Sequence, residues 1–317
     1  MRVVYMGSDA FSVPTLELLR QHHDVALVVT QPDKARGRGM KESANPVKAA
    51  ADRLGVPVAQ PTRLKDEGFV ETLRQAAPEV IVVVAYGKII PPVVLNLPKH
   101  GCINVHGSVL PEYRGAAPIE RAIVNGEKST GITTFYMNQG LDTGDVILIE
   151  SSEIGVDETG GEVRERMSHV GAQVLGRTLD LVAAGTAPRL PQDLSAGQAT
   201  YSPTIKNDEC WLDWTQQAER VANTVRAFFP HPGTQTMYRG QVLKLKRMRA
   251  VEGHGAPGAV LEVVKNKGLV VACGEGAVLL EEVQPAGKKW MNAWAFAQGY
   301  RPTLGEVLGG RPAPVPA

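Results

Sequence analysis

Two side chains that could act on a carbonyl group, Asn104 and His106, lie two residues apart near the middle of the chain. They alternate with apolar residues in the segment Cys102–His106, and this alternation predicts a short strand with both polar side chains on one face. Gly107 should end the strand, so the pair is expected at its carboxyl end, where open α/β sheets bind ligands. A carboxamide beside an imidazole could bind a carbonyl oxygen and move a proton. The alternative is that both side chains only cap a loop.

A third candidate, Asp142, lies between Gly140 and Gly144, and these glycines predict a tight turn that presents the carboxylate just before the next strand. A carboxylate brought next to His106 could orient the imidazole ring or accept a proton through water. Most aspartates in turns are structural, so the alternative is a residue that only shapes the turn.

The elements that must position these residues alternate between strands and helices, which predicts an α/β domain with a mostly parallel sheet. The run 80–85 is apolar at every position, as is typical of a parallel strand buried on both faces. No G-x-G-x-x-G follows the first strand, so we do not expect a dinucleotide site. The predicted strands are 2–6, 25–30, 56–58, 80–85, 102–106, 131–137 and 145–149, and the predicted helices are 12–21, 46–54, 67–76, 116–124 and 158–184.

The alternation of strands and helices ends after Gly185, where a stretch that contains Pro, Ser and Gly predicts a linker. Beyond it, a helix at 216–229 precedes closely spaced strands with glycine turns, which predict a small β-barrel of the oligonucleotide-binding kind. These strands are 234–238, 241–248, 258–264, 268–272 and 277–283. We therefore predict a catalytic domain at 1–188, a linker at 189–205 and a β-barrel domain at 206–317, with a loose proline-rich tail at 311–317.

The composition excludes several classes of protein. The net charge of +1 gives no overall attraction to nucleic acid, so any such site must be a local patch. Three cysteines, far apart and without partnering histidines, argue against a metal site or a disulfide framework and favour a reducing cytoplasm. The start of the chain becomes polar too soon for a signal peptide, and the longest apolar run is too short to span a membrane. We expect a cytoplasmic monomer that binds no metal and no membrane.

Beyond this chemistry, the motif residues resemble a known enzyme superfamily. Asn104-x-His106, the segment Ser108-Val-Leu-Pro111 with the following Arg114-Gly115, and the distal Asp142 resemble the signature of the 10-formyltetrahydrofolate-dependent formyltransferases. Further stretches resemble the methionyl-tRNA formyltransferases within that superfamily, and the resemblance extends from residue 1 to about 305. These stretches are 30–33, 37–39, 85–87, 114–119, 226–228 and 284–289.

The resemblance implies a Rossmann-like formyltransferase domain followed by an oligonucleotide-binding-like barrel. It implies that a formyl group passes from 10-formyltetrahydrofolate, the co-substrate, to the α-amino group of methionyl initiator tRNA. Asn104 and a protonated His106 would stabilise the developing oxyanion, and Asp142 would orient His106 and assist removal of the amine proton.

The resemblance also implies where folate binds. The family's folate-contacting segment usually reads Ser-Leu-Leu-Pro, and here it is Ser108, Val109, Leu110 and Pro111. Val109 in place of leucine should change the fit only slightly. Residues 86–89, at the end of the buried strand, would form the opposite wall. The alternative for Leu110 and Pro111 is an ordinary loop packed on the core.

Two groups of basic residues predict contacts with RNA phosphates. A loop at 31–41 carries Arg38 and Lys41 among glycines, and the resemblance places Arg38 at the family's acceptor-stem-contacting arginine. On the predicted strand 241–248, alternation puts Lys244 and Lys246 on one face, opposite the buried leucines. The alternatives are a solvated loop and a strand edge protected by lysines.

Two other functions remain compatible with these residues. A formyltransferase for a small amine, such as an amino-sugar nucleotide or glycinamide ribonucleotide, would keep Asn104, His106 and Asp142 but has less need of the basic residues. A non-catalytic folate-binding or RNA-binding protein could retain the fold and lose the turnover.

Overall fold

The computed structural model describes residues 1–36, 41–43, 45–192 and 199–310, with the backbone alone for 34–36 and 41–43. Contacts within the chain divide it into two compact units. The first comprises Met1–Pro118, Ser129–Glu153 and Arg164–Pro203, and the second comprises Ile119–Lys128, Ile154–Val163 and Thr204–Ala317. Two short stretches that precede residue 164 therefore group with the carboxyl-terminal residues, while the domain boundaries predicted from the sequence stay a prediction.

Strands and helices alternate along the first unit. The strands are β1 (Arg2–Gly7), β2 (Asp24–Val29), β3 (Lys34–Arg36), β4 (Lys41–Ser43), β5 (Val58–Ala59), β6 (Val80–Val84), β7 (Cys102–His106), β8 (Arg114–Gly115), β9 (Ser129–Tyr136), β10 (Val146–Glu153) and β11 (Tyr201–Ser202). The helices are α1 (Val13–His22), α2 (Pro46–Leu54), α3 (Glu67–Ala76), α4 (Pro92–Leu95), α5 (Pro118–Val124) and α6 (Gly160–Ala183), of which α5 and α6 continue across a boundary between the units.

Seven of these strands form one sheet in the order β10-β9-β7-β6-β1-β2-β5. The pairs β7–β6, β6–β1, β1–β2 and β2–β5 are parallel, and β9 and β10 add an antiparallel edge. The predicted α/β architecture with a mostly parallel sheet is confirmed. All five residues of β6 are buried, as its unbroken apolar sequence predicts.

Local sequence signals explain where the elements begin. The side chain of Asn45 accepts a hydrogen bond from the Lys48 amide at 3.0 Å and caps α2, whose first residue is Pro46. Glu67–Ala76 is helical as predicted, and its Phe69 and Leu73 pack into an apolar core with Leu27 of β2.

The packing of α6 decides which face of β7 carries the polar side chains. A Cβ atom on Gly171 of α6 would lie 3.1 Å from Val105, so the helix covers the face that carries Val105. On the neighbouring strand, Thr134 hydrogen-bonds Thr178 of α6 at 2.8 Å. Alternation therefore directs Asn104 and His106 to the opposite face of the sheet.

The second unit is built around an antiparallel sheet in the order β12-β13-β16-β15-β14, with β17 paired to β16. Backbone hydrogen bonds join Gly309 to Met237 at one edge and Glu306 to Val260 at the other, so the segment 306–309 links the two edge strands. The helices and strands of the carboxyl-terminal part of this second unit are α7 (Ala218–Phe228), β12 (Thr234–Tyr238), β13 (Gln241–Val251), β14 (Val260–Val264), β15 (Gly268–Ala272), β16 (Ala277–Pro285), β17 (Met291–Asn292) and α8 (Ala293–Tyr300).

The structure adds strand pairings to the basic loop and to the stretch predicted as a linker. The basic loop at 31–41 contains a two-stranded ribbon, in which β3 pairs antiparallel with β4. The stretch predicted as a linker is hydrogen-bonded to the first unit, because Leu190 pairs with Val146 and β11 pairs with β8. The predicted tail at 311–317 lies outside the described residues. Within the described ranges, no helix has both the length and the apolar character needed to cross a membrane.

Candidate active site

Asn104 and His106 lie at the carboxyl end of β7, beside the carboxyl end of β6 and the second half of β9. In the register of the sheet, Asn104 is opposite Val83 and Phe135, and His106 is opposite Thr133. His106 is 6% exposed, whereas Asn104 is half-buried. A half-buried carboxamide keeps its N–H groups within reach of a ligand, while the buried imidazole is held in one orientation by its surroundings.

The protonation pattern of His106 follows from its contacts. Nε2 lies 2.9 Å from the backbone oxygen of Tyr113, and a carbonyl oxygen can only accept, so Nε2 carries a hydrogen. The other ring nitrogen, Nδ1, faces Oδ2 of Asp142 at 3.7 Å. Nδ1 is therefore the nitrogen that can gain or lose a proton during a reaction.

Asp142 reaches this position on a constrained turn between β9 and β10. Its φ is +51°, in the left-handed region, and its Oδ2 accepts a hydrogen bond from the Gly115 amide at 2.8 Å. A Cβ atom at position 144 would lie 1.7 Å from the backbone oxygen of Tyr136, so only glycine fits there. The tight turn predicted from the flanking glycines is present, and it brings Asp142 to His106.

The segment predicted to contact folate follows β7 directly. The hydroxyl of Ser108 donates to the backbone oxygen of Glu112 at 2.6 Å, and Thr133 donates to the backbone oxygen of Ser108 at 2.7 Å. Leu110 is buried, while Val109 and Pro111 are half-buried. A ligand on this segment would therefore meet Val109, Pro111 and the backbone, because the Ser108 hydroxyl is already engaged.

The segment 86–89, expected to form the opposite wall, contains one buried and one exposed large side chain. The ring of Tyr86 is buried and packs with Ile90 and Val94 in the core, where burial raises its pKa to about 12. Ile89, by contrast, is 90% exposed. If this segment faces a ligand, the apolar contact comes from Ile89 rather than from the tyrosine ring.

The remaining chemistry near the site favours hydrogen bonding and proton transfer. Cys102 begins the same strand, but its sulfur lies 3.8 Å from the backbone oxygens of Val94 and Leu95, and burial raises its pKa to about 12. Its thiolate is therefore strongly disfavoured. In the part of the chain that the structure describes, no group of three or more His, Cys, Asp or Glu side chains could hold a metal ion.

Three residues near the Asp142 turn were not predicted from the sequence as site residues. Gln192 and Ser202 lie in the stretch predicted as a linker, and Arg114 was quoted only as part of a family motif. Gln192 hydrogen-bonds both Arg114 and the backbone of the turn, while Ser202 donates to the backbone oxygen of Tyr113. No periodicity marks them, because their roles depend on contacts between distant parts of the chain.

Comparisons with known proteins show the family of this chain. Residues 1–179 match the formyl transferase family model, and residues 204–301 match the model of the formyl transferase C-terminal domain. A methionyl-tRNA formyltransferase of Pelotomaculum thermopropionicum is 47% identical over 313 residues, which cover 98% of this chain and 99% of the relative. That of Moorella thermoacetica is 47% identical over 312 residues, with the same two coverages.

This chain belongs to the methionyl-tRNA formyltransferase family. It is thus an enzyme of the one-carbon transferase class, as predicted. Among solved structures, a sugar 3N-formyltransferase crystallised in the presence of dTDP and 5-N-formyl-THF has a TM-score of 0.66 at 16% identity, covering 91% of this chain and 99% of that one. An N-formyltransferase from Helicobacter canadensis, in complex with folinic acid and dTDP-3-aminofucose, has a TM-score of 0.64 at 15% identity, with 90% and 99% coverage. At these identities the likeness shows that the methionyl-tRNA formyltransferase fold extends to proteins named for sugar substrates.

The basic residues expected to meet RNA in a methionyl-tRNA formyltransferase differ in their surroundings. Arg38 lies outside the described residues, and Lys41 lies in β4, where only the backbone is described. On β13, Lys244 is exposed and Lys246 is half-buried, on the face opposite the buried Leu243 and Leu245, as alternation predicts.

Only one of the two lysines on β13 has its charge offset. Lys246 forms an ion pair with Glu282 at 2.5 Å and lies 5.5 Å from the centre of the Phe229 ring. For Lys244, no ion pair occurs within the described ranges. Lys244 is therefore the stronger candidate for a phosphate contact.

Proposed function

We propose that this chain transfers the formyl group of 10-formyltetrahydrofolate to the α-amino group of methionyl initiator tRNA, giving formylmethionyl-tRNA for translation initiation. The observation that carries this proposal is the approach of Asp142 to Nδ1 of His106 beside Asn104, in a chain that matches the family over nearly its full length.

The proposed chemistry begins with attack of the amine nitrogen on the formyl carbon. A nitrogen–carbon bond forms and the carbonyl electrons move to the formyl oxygen, which becomes an oxyanion. The Asn104 amide N–H and the Nδ1–H of a protonated His106 are suitable donors to that oxygen. Because the Nε2–H of His106 already donates to the backbone oxygen of Tyr113, the hydrogen on Nδ1 is the one that can donate to the oxyanion.

The amine must also lose a proton. A free α-amino group has a pKa of roughly 7.7–8.0, so much of it is protonated near neutral pH. The ionised carboxylate of Asp142 steadies the imidazolium until it accepts the amine proton, directly or through water. Collapse of the intermediate then re-forms the formyl carbonyl and breaks the bond between the formyl carbon and N10, and N10 takes up the proton that left the amine, which releases tetrahydrofolate.

The proposed folate contacts are Ser108, Val109, Leu110 and Pro111. Val109 and Pro111 present partly exposed apolar surface beside the catalytic strand, which suits a ligand with flat aromatic rings. Ser108 and Leu110 support that surface from below, since Thr133 hydrogen-bonds the backbone at both positions.

The proposed tRNA contacts are Arg38, Lys41, Lys244 and Lys246. Lysine on an exposed strand attracts backbone phosphates without reading bases. The enzyme is further proposed to act as a monomer in the cytoplasm, and sedimentation analysis of the purified protein would test the monomer.

Lys244→Ala is expected to weaken tRNA binding and to reduce its dependence on salt. Each phosphate contact contributes roughly 0.7–0.9 to the slope of log K against log salt, so one lost contact should lower the slope by about that amount. Lys246→Ala should change the slope less, because Glu282 already offsets its charge. Dissociation constants measured between about 50 and 200 mM salt provide the test.

The matched control for this measurement is Lys267→Ala, which removes an exposed charge from the turn between β14 and β15. We expect it to bind tRNA like the wild type. An unchanged slope for Lys244→Ala would remove Lys244 from the tRNA surface.

A direct assay tests the proposed function as a whole. The wild-type protein is incubated with 10-formyltetrahydrofolate and methionyl initiator tRNA, glycinamide ribonucleotide or an amino-sugar nucleotide, and each product is quantified. We expect formylated tRNA and no transfer to the two small amines. Transfer to a small amine alone would keep the catalytic residues and overturn the tRNA substrate.

A further inference from the structure

Gln192 connects two parts of the first unit that are far apart in sequence. Its Oε1 accepts hydrogen bonds from Arg114 Nε at 3.1 Å and Arg114 Nη2 at 2.6 Å. Its Nε2 donates to the backbone oxygens of Asp142 at 2.8 Å and Gly144 at 3.0 Å. Both lone pairs and both N–H groups of one carboxamide are used, and two of its partners belong to the turn that carries the catalytic carboxylate.

The segment 113–115 contacts both His106 and Asp142. The backbone oxygen of Tyr113 accepts from His106, and the Gly115 amide donates to the carboxylate of Asp142. Arg114, between them, holds Gln192. The same short segment therefore fixes the His106 ring, the Asp142 carboxylate and, through Gln192, the Asp142 backbone.

This segment is itself fixed by the chain that leads out of the first unit. The strand β11 pairs with β8, and the hydroxyl of Ser202 shares its one hydrogen between the backbone oxygens of Tyr113 at 2.9 Å and Arg114 at 3.1 Å. The backbone oxygen of Thr200 accepts from the Arg114 amide at 2.9 Å. The stretch predicted as a passive linker thus supports the frame around His106 and Asp142.

We propose that Gln192 is a positioning residue for formyl transfer, which keeps the Asp142 turn in place against His106. The proposal rests on the proposed function and adds a residue to it. The His106–Asp142 separation of 3.7 Å leaves little tolerance, because a displacement of about 1 Å is enough to lower a rate roughly a hundredfold.

The side chain of Gln192 needs different chemical groups to anchor the linker than to position the Asp142 turn. If Gln192 only anchors the linker to Arg114, a carboxylate at position 192 would serve as well, since an Arg–carboxylate pair is stronger than an Arg–amide pair. If it positions the turn, the two N–H donors to Asp142 and Gly144 are essential, and a carboxylate would instead face two carbonyl oxygens. Gln192→Glu separates these roles while keeping the size of the side chain.

The test compares wild type, Gln192→Glu, Gln192→Ala and Gln75→Ala, an exposed glutamine on α3 that serves as the control. The kcat and KM for methionyl initiator tRNA and for 10-formyltetrahydrofolate are measured at about pH 8, where a glutamate with an ordinary pKa near 4.3 is ionised. For Gln192→Glu we expect kcat to fall roughly ten- to a hundredfold, with both KM values within about twofold of wild type. Its unfolding temperature should stay within about 3 °C.

Hydrogen exchange of the Gly115 amide gives a readout that does not depend on the substrate. This amide should exchange faster in both Gln192 variants, because the carboxylate that protects it is no longer held in place. A wild-type protein that formylates no tRNA would overturn the proposed function, and the exchange rates would still decide whether Gln192 holds the turn. A Gln192→Glu variant with wild-type kcat and wild-type exchange would overturn the positioning role.

Discussion

His106→Gln is expected to lower the rate of formyl transfer by roughly a thousandfold or more while the protein stays folded. The glutamine carboxamide can still donate to the backbone oxygen of Tyr113, so the buried polar contact at the end of β7 is retained. What the substitution removes is Nδ1, the ring atom that faces Asp142 and carries the proton used in the reaction. Single-turnover rates with saturating folate report this loss without a contribution from product release.

The control for that measurement is His169→Ala, because His169 is an exposed histidine on α6. It should leave both the rate and the unfolding temperature unchanged. A His106→Gln variant that keeps more than about a tenth of the wild-type rate would show that the imidazole has no part in the chemical step.

Asp142→Asn is expected to slow formyl transfer by roughly 10²- to 10³-fold. Asparagine tolerates the left-handed conformation required at this position, and its side-chain oxygen can still accept from the Gly115 amide. The turn should therefore keep its shape, and the change isolates the negative charge that faces His106. Rates measured under single turnover, together with thermal unfolding, separate the loss of charge from a loss of structure.

Asp145→Asn is the matched control, because it removes a carboxylate from the same region of the chain. Asp145 lies 3.8 Å from Arg189 and is only partly buried, and the contact with His106 belongs to Asp142. We expect a rate within about twofold of wild type, because this ion pair is partly exposed to solvent. Equal losses from both substitutions would mean that the turn, rather than the Asp142 carboxylate, matters for the rate.

The strand that carries the site could be predicted because its signals are local. Alternation in Cys102–His106 places Asn104 and His106 on one face, and the structure has that strand with those bounds. The buried strand β6 follows as directly from its apolar run. Each of these patterns is contained within a few residues, so no knowledge of the tertiary fold is needed to interpret it.

The approach of Asp142 to His106 could not be predicted from a local sequence pattern. The glycines predict the turn, but only the packing of β9 against β7 brings it to the histidine. The pairing was anticipated from the resemblance to the formyltransferases rather than from spacing. Gln192 shows the limit more clearly, since its partners Arg114 and Asp142 lie far from it in sequence.

Three short elements, β8, β11 and α8, have no clear signal in the sequence. The strands β8 and β11 have two residues each, and they exist only because they pair with each other. Helix α8 follows directly on β17 and is apolar along much of its length, so it gives a weak amphipathic signal. Phe296 of this helix is buried in the core of the second unit.

On β13 the orientation of Lys244 and Lys246 follows from the sequence, whereas the ion pair that offsets one of their charges does not. Alternation is local, whereas the partner of Lys246 is Glu282, which a neighbouring strand supplies. A register shift after Leu245 then places Arg247 outward and Met248 in the core, which simple alternation does not anticipate. Predicted basic patches therefore need their cross-strand partners before their charge can be counted.

A double-mutant cycle shows whether His106 and Asp142 act as one unit in formyl transfer. Single-turnover rates of formylmethionyl-tRNA formation are measured for wild type, His106→Gln, Asp142→Asn and the double variant. If the two residues act together, the double variant should be about as slow as the slower single variant, because the first substitution has already removed the shared function. Losses that multiply would show that the two residues act independently, and a wild-type protein that forms no formylmethionyl-tRNA would overturn the proposed reaction.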